Sequence, residues 1–149
     1  MAVKRYRITI EGTQTVDGES EKLHFSTEGS YRLEGRRARL SYDDTELTGY
    51  AGSRTVICAE AEEQASIERT GQSASTLTVR PGERRQSYYD IGVGCVSVAV
   101  NGLAVENRLR PDGGTLRLRY ALELESNIVS ENIVSITVRE ISNARQIHL

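Results

Sequence analysis

The sequence predicts an all-β chain: one antiparallel up-and-down barrel of eight to ten strands, with a β-sandwich as the alternative. Three observations carry that reading. Apolar and polar residues alternate through most of the chain, which is the period of strands with one buried and one wet face. Turn signals recur between those runs, among them Asp17-Gly18, Pro81-Gly82 and Pro111-Asp112-Gly113-Gly114. No stretch repeats at the spacing of an ordinary amphipathic helix. Consecutive strands with short loops make a meander. Closing the meander removes the free edges that it would otherwise present.

The first strand covers about residues 3–14, with Tyr6, Ile8 and Ile10 on one face. Asp17-Gly18 is a two-residue hairpin signal, so paired positions across it sum to an odd number. Leu23 and Phe25 satisfy that, which turns His24 outward with Lys22 and Ser26. Gly29 suggests a bulge in the second strand, which continues through Tyr31 and Leu33. Glu34-Gly35 turns the chain into a third strand with Ala38, Leu40 and Tyr42 inward. Asp43 to Ser53 is the longest candidate loop, readable as a surface loop or as a lid over a cavity. Thr55–Glu60 and Gln64–Thr70 form the next two strands around a short acidic turn. Gly71 to Ala74 turns into a strand with Leu77 and Val79. Pro81-Gly82 fits the centre of a type II turn. Tyr88-Tyr89-Asp90 closes the following strand, and Gly92 and Gly94 flank a turn. Val96, Val98 and Val100 share a face on a long strand toward Val105.

Gly114 to Glu140 is the clearest hairpin. Leu116, Leu118, Tyr120, Leu122 and Leu124 take one parity, with Arg117, Arg119 and Glu123 on the other. A helix would bury Arg117 and Glu123 among the leucines. Val134, Ile136 and Val138 face inward on the return strand. Leu118, Tyr120, Leu122, Val134, Ile136 and Val138 are therefore expected to pack together. Both inward sets are even-numbered, which requires an odd-numbered loop or a bulge. Val129-Ser130-Glu131 is the three-residue candidate, with Asn132 left-handed beside it.

The 149 residues fit one domain. A content of 38% hydrophobic and 5% aromatic residues, with no Trp, makes a lean core. A β fold tolerates that because only every second strand residue is buried. The net charge of −2 gives no basic bias to hold a phosphate backbone, so nucleic acid is not implied. No window has the length of a membrane span. The N-terminal stretch reads as a charged strand without the apolar segment of a signal peptide. Cys58 and Cys95 then read as reduced thiols in the cytoplasm. Neither has His or Cys at ligand spacing, so no metal and no cofactor are expected.

The segments TEGSYRLEG, LSYDDTELTG followed by GSRT, IERTG, SYYDIGVG, GGTLRLRYALE and ENIVSITVRE occur in an order that resembles the YwiB-like family. That family comprises uncharacterised bacterial proteins whose fold is similar to the calycin, or lipocalin-like, β-barrels. The resemblance covers nearly the whole chain, from about Val3 to Ile141. Two positions depart from the pattern. RPGE lacks an apolar residue just before its turn, with Val79 as the stand-in, and Glu34-Gly35 stands where Asn-Gly is commoner. The resemblance implies a barrel and a cytosolic bacterial origin, and no reaction.

Catalytic signals are sparse. His24 and His148 are the only histidines, and no Ser or Cys sits in a nucleophile's context. Asp43 and Asp44 point to opposite faces if extended, so they do not form a dyad. The glycines at 92 and 94 lack the following helix of a phosphate loop. Arg69 shares parity with Ile67 and should face inward near a strand end. One reading makes it an anion anchor for a small ligand. The other makes it a plug, stacked on an aromatic and bonded to backbone carbonyls, as calycin-like barrels commonly have. Local carbonyls easily satisfy a strand-end arginine, which favours the plug. Tyr42, Tyr89 and Tyr120 are the candidate stacking partners. Two functions follow: a non-catalytic module binding a small anionic or apolar molecule in the barrel, or a structural or protein-interaction barrel with a filled interior. The first rests on fold analogy. No protein partner or oligomeric state is implied.

Overall fold

The computed structural model describes residues 4–45, 48, 50–72, 74–90 and 95–141, apart from the side chains of Tyr89, Asp90 and Cys95. The expected turn at Gly92 and Gly94 lies outside these residues, as do Val3 and His148. Among the described residues, ten antiparallel strands form a closed meander. They are β1 (Tyr6–Val16), β2 (Glu19–Glu34), β3 (Arg37–Asp43), β4 (Ser53–Glu60) and β5 (Gln64–Gly71). They continue as β6 (Ser75–Val79), β7 (Arg84–Asp90), β8 (Cys95–Arg110), β9 (Gly113–Leu124) and β10 (Asn127–Glu140). Each strand pairs with the next, and β1 pairs with β10 from Tyr6↔Glu140 to Thr15↔Glu131. The barrel reading therefore holds over the sandwich. Among the described residues no helix is long and apolar enough to cross a membrane.

Alternation places most of the core as expected, although Leu23 and Leu124, of the inward parity, are exposed. Tyr6, Ile8, Ile10, Phe25, Leu40, Ile57, Leu116, Leu118, Ile136 and Val138 are buried. Ile10 stands opposite both Phe25 and Ile136, so three strands contribute to one layer. His24 is exposed. Of the six residues expected to pack together, Leu122 and Val134 are only partly buried, for a reason given below. Val100 is buried, whereas Val96 and Val98 are half-buried.

Turn chemistry sets the register. Asp17 and Gly18 take φ values of 51° and 80°, as the predicted hairpin turn requires. The turn after β2 lies one residue further on than expected, at Gly35-Arg36, with Gly35 at φ 61° and Glu34 paired to Arg37. The Arg80–Glu83 turn closes through Glu83 N–H to Arg80 O at 3.0 Å, around Gly82 at φ 81°. The β9–β10 turn is not at Val129–Glu131. It is Glu125-Ser126, with φ 52° and 69°, and a bulge between Ile128 and Ser130 restores the even sum. Asn132 is an ordinary buried strand residue. A second bulge between Gly102 and Ala104 shifts the inward parity of β8 from Val100 to Val105.

Gly29 marks no bulge. At this position β2 leaves β1 and takes up β3: Gly29 pairs with Tyr6, and Ser30 pairs with Ser41. Strand β2 can turn this corner because a Cβ at Gly29 would meet the Ser41 carbonyl and lie 2.7 Å from Ile8 Cδ1.

The two ends of the barrel differ. The base carries the turns after β2, β4, β6 and β8. It is fastened by Tyr31 O–H to Arg110 O at 2.7 Å and Asn107 Nδ2 to Ala61 O at 2.8 Å. Tyr6 packs edge-on against Tyr31, with centroids 5.4 Å apart. The mouth carries the connections after β1, β3, β5, β7 and β9. Gly29→Ala should destabilise the protein by about 1–3 kcal/mol through overpacking at the corner. Gly12→Ala, with no atom nearer than 3.9 Å, should be nearly neutral. Urea denaturation of the two variants checks this. Equal midpoints would mean that the corner is not tight.

Candidate functional site

The base half of the interior is filled with side chains, whereas the mouth half holds a cavity of about 370 Å³. The cavity wall reflects strand register. On one side, Tyr42↔Thr55, Thr55↔Arg69 and Arg69↔Ser75 form a cross-strand row from β3 to β6. On the other, Tyr120↔Asn132 and Asn132↔Gln14 run from β9 to β1. Beneath the first row lie Ile57, Ile67 and Leu77, also in register. Leu122 and Val134 line the same space, which is why they are only partly buried. The result is an apolar cup with a polar belt.

Arg69 points inward, as its parity with Ile67 predicts, and its side chain is 16% exposed. Its partners differ from those expected. Nε lies 3.4 Å from Asp44 Oδ2 and 3.2 Å from Thr55 Oγ1, so side-chain oxygens take the place of the expected carbonyls. The stacking ring is Tyr50, 3.7 Å from the guanidinium carbon. Tyr42 and Tyr120 line the cavity but do not supply that ring. The backbone of Tyr89 pairs with Ser75, while its side chain lies outside the described residues.

Asp44 is, with Tyr50, what sequence reasoning missed. Asp43 and Asp44 do point apart: the side chains are 81% and 0% exposed. The buried carboxylate accepts from Thr55 Oγ1 at 2.7 Å, Thr48 Oγ1 at 3.1 Å and Arg69 Nε. A wholly buried carboxylate requires such a counter-charge and several donors. The segment after β3 thus supplies Asp44, Thr48 and Tyr50 to the cavity end, and its surface-loop reading is corrected over the described residues.

Tyr42 packs edge-on against Phe25 at 5.7 Å. Burial pushes its phenol up to about 12, Asp44 adds to this, and Thr55 and Arg69 oppose it. Burial likewise pushes Tyr31, at the base, up to about 12. Among the described residues no group of three or more His, Cys, Asp or Glu side chains could hold a metal ion. Cys58 is a half-buried free thiol, and the Cys95 side chain lies outside the described set.

The family model described as "Domain of unknown function (DUF1934)" matches residues 8–136. No curated protein matches the chain. Among solved structures, "Crystal structure of ywiB protein from Bacillus subtilis" superposes with a TM-score of 0.80 at 16% identity, covering 93% of each chain. At that identity the likeness speaks for the fold.

Arg69→Ala should cost about 3–5 kcal/mol, because it leaves the Asp44 carboxylate buried without its counter-charge. Arg69→Lys should recover little, since a point charge reproduces neither the fork nor the stacking. Chemical denaturation measures both. A loss under about 1 kcal/mol for Arg69→Ala would mean that Asp44 does not depend on the pair.

Alkaline titration tests Tyr42. A phenol that keeps its proton to about 12 when folded, against 10.0 for the free side chain, binds more protons folded than unfolded in that window. Its stability contribution is full below pH 10 and is lost as the pH rises to about 12. Tyr42→Phe should flatten the fall to the part contributed by Tyr31. An unchanged slope would place the Tyr42 hydroxyl in contact with water.

Proposed function

The chain belongs to the DUF1934 family, and on that premise we propose that it is a non-catalytic binding barrel, holding one small, largely apolar molecule in its mouth half. One observation carries the reading. The same strands that bury a close-set core at the base leave about 370 Å³ at the mouth, floored by Ile57, Ile67 and Leu77 and belted by hydroxyls and amides. Small-molecule sites are of this kind: concave, mostly apolar, with a few converging polar groups. A ten-stranded barrel is wide enough to hold a ligand or to be packed solid. Here the packing stops halfway. We group the barrel with the calycin-like class and place it in a bacterial cytoplasm. The free, half-buried Cys58 thiol supports the cytoplasmic placement.

A protein-interaction barrel is the second reading. Val16 and Leu23 on one hairpin, and Leu124, Ile128 and Val129 on another, are exposed at the mouth end. Such an apolar rim suits a protein contact as well as a ligand portal.

The uncharged fluorescent dye N-phenyl-1-naphthylamine separates the two. Binding should be saturable with one dye per chain. Leu122→Phe combined with Val134→Phe, which fills the cup, should weaken it by about tenfold or more without lowering the melting temperature. Dye binding that is absent, or indifferent to the filled cup, would leave the interaction reading.

A further inference from the structure

We infer that the natural ligand carries an uncharged, hydrogen-bonding head, an alcohol- or amide-type group, and that the cup rejects carboxylates and amines alike. This rests on the binding reading above and concerns the same cavity.

The inference comes from charge accounting at the belt. Arg69 is the one charged side chain among the described residues lining the cavity. It would ordinarily mark a site for an anion. Here its charge is already matched, since Asp44 lies behind it, fully buried, and holds its Nε together with Thr55. An incoming carboxylate would set two negative groups on one guanidinium that is only 16% exposed, so water screens them poorly. Tyr50 covers one face of the guanidinium at 3.7 Å, which closes that approach. An ammonium group fares no better. Asp44 is 0% exposed, wrapped by Thr48 and Thr55, and Arg69 stands between it and the lumen.

Among the described residues, the remaining polar groups of the belt are neutral. Tyr42 offers a phenol, Ser75 a hydroxyl, and Asn132 and Gln14 amides. Asn132 is itself fixed, with Nδ2 donating to Ser130 Oγ at 3.0 Å. Hydroxyls and amides both donate and accept, so they match an alcohol or amide without requiring a counter-ion. The chemistry is a medium-length apolar body with one neutral polar end.

A matched series tests this by displacement of N-phenyl-1-naphthylamine at neutral pH. Decan-1-ol, decanoate and decylammonium share a chain and differ in head charge. Decan-1-ol should displace the dye at concentrations about tenfold or more below either ion. Asp44→Asn frees the Arg69 charge and should improve decanoate relative to decan-1-ol by about tenfold. Arg69→Gln leaves Asp44 alone and should move the preference toward decylammonium. A wild type that takes decanoate or decylammonium as well as decan-1-ol overturns the inference while the cup still stands as a binding site. So does a charge variant that folds and keeps the wild-type ranking. Dye that binds but yields to none of the three also overturns it. If the dye itself does not bind, the binding reading fails, and the inference fails with it. Should one charge variant not fold, the wild-type ranking and the other variant still decide.

Discussion

Closure of the sheet through β1 and β10 is the constraint on which the rest depends. Ten residue pairs join these strands without a register slip. A slip of one residue would turn every side chain of a strand to the other face. The inward row Ile8, Ile10, Ile136 and Val138 exists because the pairs Ile8↔Val138 and Ile10↔Ile136 hold. More than a hundred residues separate the partners, so this seam carries a large loop-closure entropy. It forms only as the whole barrel forms, which makes folding cooperative and dependent on non-local contacts.

Two irregularities then shape the interior. The bulge between Gly102 and Ala104 resets the face of β8, so that Val100 toward the mouth and Val105 toward the base both point inward. Gly102 also lets the Arg80–Glu83 turn approach β8: Gly82 N–H donates to Gly102 O and Gly102 N–H to Glu83 O, each at 2.9 Å. The bulge between Ile128 and Ser130 does the same service for β10, aligning Ser130 with Leu122 and Asn132 with Tyr120. Without these shifts, the belt and the base core could not both lie on the inner face.

Much of this was legible in the sequence, because strands encode their faces in a period of two. The inward set of β9 and β10, the outward His24 and the inward Arg69 all follow from parity, whereas the barrel follows from an unbroken meander whose free edges closure removes. Parity also demanded an odd loop or a bulge in the last hairpin. It could not locate it, since Glu125 and Ser126 are not residues that advertise positive φ. Gly29 was visible as an interruption, but its cause, the backbone of another strand, lies in three dimensions. The belt was half legible: Tyr42, Arg69 and Tyr120 came from strands. Asp44 and Tyr50 lie beyond the end of β3, where no period constrains the side chains. The buried carboxylate that neutralises Arg69 was therefore invisible, and the ring that stacks on it was sought among the strand tyrosines.

The contrast between base and mouth has an evolutionary reading. The residues that hold the barrel together, such as Leu116, Leu118, Val138 and the Tyr31 latch, lie on the base side of the cup. Those that would meet a ligand, such as Leu122, Val134 and Ser75, are only partly buried and bear less of the fold's stability. Substitutions in the second group can alter the shape and polarity of the cup at little cost to folding. One scaffold can thereby drift from one cargo to another, and two descendants of a common ancestor can keep the same backbone long after their cargoes have ceased to be alike.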